Sequence, residues 1–194
     1  MSKIKNFQLR QIHFVQARDF VIRWHYSKTL PYCKYYFGLF DKNDLIGIAA
    51  YGLPAMRNQS KCYSCDIELR RLCLTDSAPK NSESRFISLT LKELKKIGHN
   101  AVLSLADPEH SHTGVIYKAS NFEFLGLERG GGSRLIVIDG VPVHSRTAYA
   151  KYGTSGILSL KQMLGEDRVE GRNKKRKLVY RYILKKKLKT SIKK

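Results

Sequence analysis

Acidic residues are scarce in this chain: 16 Asp plus Glu stand against 36 Lys plus Arg, a formal net charge of +20 over 194 residues. A compact state with that excess repels itself. The balance therefore points to an anionic partner, of which nucleic acid is the commonest. No stretch of about 18 apolar residues occurs, which excludes a bilayer-spanning helix of ordinary length. No amino-terminal apolar run of signal-peptide type is present either, so a cytoplasmic protein is expected. Cysteines number only four, Cys33, Cys62, Cys65 and Cys73. In a reducing compartment they stay as thiols, which weakens a disulfide reading. Apolar residues, at 42%, are not scarce. Wholesale disorder is thereby excluded, and the length suits one domain with a sizeable core.

The pattern along the chain mixes strands and helices. Residues 6–12 alternate as a half-buried strand does, and 14–26 carry apolar residues near helical spacing, ending near His25. The runs Tyr35 to Phe40 and Leu45 to Tyr51 flank Asp41-Lys42-Asn43-Asp44, a hairpin signal. Ile67 to Leu74 is a third strand with imperfect alternation. Residues 85–97 form an amphipathic helix, with Ser82 or Ser84 available as its cap and Gly98 as its stop. Ala101 to Ala106 is a short strand, and Val115 to Ser120 a short helix opened by Thr113-Gly114. Strands at Phe122 to Leu127 and Arg134 to Ile138 surround a Gly130-Gly131-Gly132 turn. A helix at 156–164 and a strand at 177–184 complete the series. The order predicts an α+β or α/β fold with a mostly antiparallel mixed sheet flanked by helices.

The positive charge is uneven. Residues 168–194 hold 13 Lys or Arg and one acid, Glu170. Arg172, Lys174, Lys175, Arg176, Lys177, Lys185, Lys186 and Lys187, with tyrosines between them, are candidate phosphate contacts giving salt-dependent DNA binding. Residues 185–194 read as a basic tail.

Chemistry concentrates in D-P-E-H-S-H-T-G-V-I-Y-K-A-S-N-F, Asp107 to Phe122. Asp107 follows directly on a strand, and ligands of open α/β sheets bind beyond the carboxyl ends of strands. An aspartate there can take a proton or hold an amine. Tyr117 lies ten residues on, with His110 and His112 between. Arg70-Arg71 sits in a strand, where alternation turns one side chain inward and the other outward. Cys62-x-x-Cys65 has metal-ligand spacing without a second ligand pair, a weak zinc signal. A base modified inside a duplex must leave the stack, and Trp24, Tyr26, Tyr35, Tyr36 and Phe122 are candidates to stack on it.

The run from Asp107 to Gly126 resembles the Mom-like DNA modification proteins of bacteriophages, relatives of the GNAT acyltransferases. The similarity continues through His25-Tyr26-Ser27, Glu68-Leu69-Arg70-Arg71-Leu72, Asn81-Ser82-Glu83-Ser84-Arg85, His144-Ser145-Arg146 and Lys151-Tyr152-Gly153, covering roughly residues 20–185. It implies a single GNAT-like catalytic domain over 1–184. The implied activity is carbamoylmethylation of adenine in double-stranded DNA, which would shield phage DNA from restriction in the cytoplasm of an infected cell. By position it places essential residues at Asp107, Tyr117, Ser84 and Arg70 or Arg71. It implies acetyl-CoA as donor, with Ser84 and Arg85 serving it, and a candidate iron pair at His25 and Tyr26. The loop Ala78 to Ser84 departs from the GNAT pattern: it has no glycine where such enzymes cradle pyrophosphate at a helix N-terminus. Two other readings stand beside this one. They are a conventional GNAT acetyltransferase acting on a protein or small amine, and a non-catalytic DNA-binding protein, zinc-stabilised through Cys62 and Cys65.

Overall fold

Strands that are apolar along nearly their whole length, such as YYFGLF and AVLSLA, need cover on both faces of the sheet they form, and helices supply it. The computed structural model describes residues 7–56, 58–129 and 134–185, which form two compact units. The first takes in the chain up to Ala106, Thr113–Gly126 and the chain from Leu178 onward. Its elements are β1 (Gln8–Gln11), α1 (Phe14–Trp24), β2 (Tyr35–Asp41), β3 (Asp44–Gly52), α2 (Gln59–Tyr63) and β4 (Ile67–Leu74). They continue with α3 (Ser82–Ile97), β5 (Ala101–Ala106), α4 (Val115–Ala119), β6 (Glu123–Leu127) and β10 (Leu178–Ile183).

The seven strands lie in the order β1-β2-β3-β4-β5-β10-β6. Pairing is antiparallel from β1 to β4 and between β5 and β10, and parallel between β4 and β5. Period-two alternation sorts the core onto the two faces. Ala17, Phe20 and Val21 of α1 pack with Tyr36, Ile48, Ala50 and Cys73. Phe86, Ile87, Leu91 and Leu94 of α3 pack on the other face with Phe37, Tyr51, Leu69, Val102, Ala106, Tyr117 and Tyr180.

Two sequence expectations are corrected in this unit. The α3 helix begins at Ser82, earlier than the pattern indicated, and neither serine caps it: Ser82 Oγ donates to Pro79 O and Ser84 Oγ to Asn81 O. Asn81 holds the left-handed conformation at that terminus, with φ 70°, which asparagine tolerates better than most residues. Strict alternation also fails at Arg70-Arg71. The β3–β4 register slips between Ala50, opposite Arg71, and Tyr51, opposite Leu69, leaving Arg70 in a bulge, and both arginines are half-buried.

The parallel β4–β5 ladder is short, running from Ile67 opposite Val102 to Leu69 opposite Ser104. Beyond it β4 continues along β3 to Leu74, while β5 continues along β10 to Ala106. The strands part there. Asp66 secures the other end, its carboxylate accepting from the N–H groups of Asn100 and Ala101 and bonding His99 Nδ1 at 2.9 Å.

The second unit comprises Asp107–His112, which follows β5, and Leu127–Lys177, which enters the sequence between β6 and β10, neighbours in the first unit's sheet. It contains β7 (Arg134–Ile138), β8 (Val141–Val143), α5 (Ser145–Tyr152), α6 (Ile157–Leu164) and β9 (Val169–Asn173). Its strands form a separate sheet ordered β8-β7-β9 over a core of Ile136, Ile138, Ala148, Leu160 and Val169. Arg168 clasps Asp139 through two bonds of 2.8 and 2.7 Å. The strands on either side of the glycine run thus belong to different sheets; the expected turn at Gly130–Gly132 lies outside the described residues, as do Lys186, Lys187 and the tail beyond Lys185.

Candidate functional site

Tyr117 owes its position to the Thr113-Gly114 turn. Gly114 takes φ 76°, and a Cβ there would lie 2.3 Å from Tyr180 Oη, so only glycine lets the turn close over the Tyr180 ring. Tyr180 Oη in turn donates to Thr113 O at 3.2 Å. The helix α4 starts at this point and carries the Tyr117 ring to within 5.3 Å of Tyr180 and 5.6 Å of Phe122, between ring centroids. Tyr117 is buried. Burial pushes its phenol above the usual tyrosine range, the neighbouring Ser104 hydroxyl pulls it down, and Tyr26, Glu68 and Tyr180 raise it further. The net direction is upward, so the phenol holds its proton firmly.

The part of the first unit around Tyr117 is polar. Glu68 is buried; its Oε2 accepts from Ala55 N at 2.7 Å, and Oε1 lies 3.7 Å from Arg70 Nε. Arg70 Nη1 donates to Leu53 O, while Arg71 donates to Thr29 O and Arg70 O. Arg71 is also within electrostatic reach of Tyr26 and Glu68. Tyr117, Tyr26, Glu68 and Arg71 are therefore brought into one neighbourhood. Glu68 and Ser104 were not singled out by sequence reasoning. Glu68 shares its strand with Arg70 and Arg71, so its burial was not legible from the pattern, and neither was that of a serine in an apolar strand.

Ser84 and Arg85 line a groove of about 470 Å³ along α3, together with Lys92, Lys95, Ser120 and Asn121. Its three cations suit a phosphate-bearing ligand.

His25 and Tyr26 stack, with ring centroids 4.3 Å apart. His25 Nδ1 accepts from the Ser27 N–H at 3.1 Å and faces Ser27 Oγ at 2.8 Å. A neutral imidazole that accepts at Nδ1 carries its proton on Nε2, so metal ligation there would require an imidazolate. Among the described residues no three His, Cys, Asp or Glu side chains form a ligand set. The iron expected at His25 and Tyr26 thus finds no support in this arrangement. The zinc reading meets the same obstacle, with Cys62 exposed and Cys65 buried against Gln59 O, its thiol pushed up to about 11 chiefly by burial.

Of the aromatic candidates, Trp24 and Tyr26 are exposed. Tyr36 and Phe122 are core residues, and Tyr35 is half-buried beside His99. Tyr32, 89% exposed, was overlooked.

In the second unit Asp107 caps the 3-10 turn Pro108–His110, its Oδ1 accepting from Glu109 N at 3.1 Å. Lys174 Nζ and Lys177 Nζ lie 3.9 and 4.0 Å from Asp107 Oδ2. Glu109 accepts from Arg172 at 3.1 Å and from Lys175 N at 2.8 Å. The basic segment after β9 is thus partly engaged by acids of its own unit, while the Lys175 and Arg176 side chains are exposed. His110 and His112 are exposed, and burial and His110 hold the His112 imidazole below its usual range against the pull of Asp107. In the first unit Lys185 Nζ donates to Gly98 O at 3.4 Å.

A profile described as the Mom protein family matches residues 6–194. The chain belongs to the Mom protein family. It is 32% identical over 155 residues to the methylcarbamoylase mom of Escherichia phage Mu, a match covering 75% of this chain and 63% of that relative. The match thus spans less than two thirds of the relative's length. Among solved structures, the fold is similar to a spermidine/spermine N-acetyltransferase of Vibrio cholerae, with TM-score 0.55 and 10% identity over 94% of this chain and 95% of the other. It is also similar to a polyamine N-acetyltransferase of Drosophila melanogaster, with TM-score 0.53 and 7% identity over 91% and 99%. At such identities the likeness concerns the fold, which is that of the GNAT acetyltransferases.

Proposed function

We propose that this member of the Mom family is an acyltransferase-like enzyme that moves a carbamoylmethyl group onto the exocyclic amine of adenine in double-stranded DNA. The observation that carries the reading is the position of the buried Tyr117 phenol, which keeps its proton at neutral pH, in one neighbourhood with Tyr26, Glu68 and Arg71. Similarity to a protein named methylcarbamoylase supports the class of group transferred.

In this reading Tyr117 protonates the leaving group of the donor, and Asp107 orients the adenine amine and accepts its proton. The groove along α3 suits acetyl-CoA by charge, with Arg85, Lys92 and Lys95 opposite its phosphates and Ser84 within the same lining. When bound, that thioester would supply two carbons and a thiolate leaving group; a carbamoylmethyl product requires in addition an amide nitrogen donor and a two-electron oxidant as co-reactants. Arg70 and Arg71 hold the chain around Glu68 and Tyr26. Exposed Trp24 and Tyr26 offer faces to a base out of the stack. Lys175, Arg176 and Lys185 reach phosphate, while Arg172, Lys174 and Lys177 divide their charge between DNA and the acids Asp107 and Glu109. The modification shields phage DNA from restriction in the infected cell.

The test is mass spectrometry of nucleosides from DNA of cells producing wild-type, Tyr117→Phe or Asp107→Ala protein. A modified adenosine is expected with wild type alone. Its absence with wild type, or its full yield with either variant, refutes the reading. Acetyl transfer to amines without DNA supports the conventional acetyltransferase instead.

A further inference from the structure

Ser104 is a polar residue in an apolar place. It lies on β5 between Val102 and Ala106, whose side chains join the core on the α3 face, and alternation sends its hydroxyl to the same face. Its register partner on β10 is Tyr180, whose ring packs on Tyr117, and its partner on β4 is Leu69, the last pair before the strands part. It is fully buried, and its Oγ has no hydrogen-bond partner among the described residues. A desolvated hydroxyl without a partner is costly, and a serine is readily replaced by alanine in a strand. Here the hydroxyl lies near enough to the Tyr117 phenol to favour its ionised form, yet outside hydrogen-bond geometry at rest.

We infer that Ser104 is a positioning residue acting through Tyr117: its hydroxyl donates a hydrogen bond to the Tyr117 phenolate formed when that tyrosine gives its proton to the leaving group. The Tyr117 O–H bond breaks, the proton passes to the leaving atom, and negative charge stays on Oη. Ser104 keeps its own proton and turns it toward that charge. Solvent reprotonates Oη before the next cycle. Of the other groups facing Tyr117, Glu68 bears negative charge when ionised, Tyr180 Oη already donates to Thr113 O, and Tyr51 shares its hydrogen bond with Thr90. A hydrogen bond to an ion is worth far more than one to a neutral phenol, so the hydroxyl contributes when the charge appears and not before.

The inference rests on the proposed role of Tyr117, and Ser104→Ala in the full chain tests it. The urea midpoint is expected to stay or rise, because the deleted hydroxyl has no partner at rest. kcat is expected to fall roughly ten- to a hundredfold with KM unchanged. Independently of activity, 13Cζ-tyrosine NMR, with the Tyr117 signal assigned from Tyr117→Phe, should show Tyr117 ionising at higher pH in Ser104→Ala. A lowered midpoint, an unchanged kcat, a loss confined to KM or an unmoved Tyr117 titration each overturn the inference. If Tyr117→Phe is inactive while Ser104→Ala is fully active, only this inference fails. If Tyr117→Phe keeps the wild-type rate, the reading of Tyr117 as acid fails first.

Discussion

Replacing Gly114 with alanine tests how the turn before Tyr117 is held. Three costs arise together. A residue with a Cβ at φ 76° gives up about 1–2 kcal/mol relative to glycine. The new methyl would lie 2.3 Å from Tyr180 Oη and 2.4 Å from two ring carbons. Both the ring and the turn are held by neighbours, so relief of the overlap costs about 1–3 kcal/mol. If the ring moves, the bond from Tyr180 Oη to Thr113 O is lost, about 1 kcal/mol more. The sum is about 3–5 kcal/mol after overlap between the terms. Gly126→Ala is the matched control: it lies in the same unit at φ 96° with nothing within 4 Å of the added carbon, so only the backbone cost of about 1–2 kcal/mol applies. Urea denaturation followed by circular dichroism should place the Gly114→Ala midpoint about 1 M or more below that of Gly126→Ala. Equal midpoints would refute the argument that close approach to Tyr180 fixes this turn. Because α4 begins at Gly114, modification should fall along with stability.

Two further outcomes follow from the same geometry. Burial raises the Asp66 carboxyl, but its bonds from Ala101 and Asn100 and its pairing with His99 outweigh that, leaving it below the usual range. A group depressed in the folded state stabilises above its unfolded value near about 3.9 and loses that contribution as pH falls through the folded value. Asp66→Asn should therefore cost about 1–2 kcal/mol at neutral pH, with the gap to wild type closing below about pH 4 in an acid-unfolding series. For DNA, the double variant Lys175→Ala with Arg176→Ala should reduce the slope of log affinity against log salt by about 2, measured by anisotropy on a duplex, and a slope unchanged from wild type would place the phosphate contacts elsewhere.

Periodicity carried much of the fold. The strands at 67–74 and 101–106 were legible to the residue, the first from an imperfect alternation of apolar and charged residues and the second as a short apolar run. What escaped was local exception and long-range pairing. The bulge at Arg70 breaks the alternation that sequence reasoning used to divide the two arginines. The α5 helix, β8 and β9 went unread because their apolar residues are few and short-spaced, and they acquire a core only from one another. The pairing of β6 with β10 spans about fifty residues of intervening chain, and nothing in either strand's pattern names its partner. The site divides in the same way. Asp107 and Tyr117 were visible in one motif, whereas Ser104 and Glu68 acquire meaning only from the strands and side chains beside them.

The motif from Asp107 to Phe122 is continuous in sequence but supported in two ways. Tyr117 is fixed by apolar packing against Tyr180 and Phe122, which depends on fit and responds little to salt. Asp107 sits in a turn whose surroundings are charged, with Lys174 and Lys177 about one ion-pair distance away and Glu109 tied to Arg172 and the Lys175 N–H. Partly exposed charges of this kind are screened at physiological ionic strength and compete with phosphate. A duplex arriving at the 172–177 segment therefore draws on the same cations that flank Asp107. Tyr117, held by ring packing in the first unit, takes no part in that exchange.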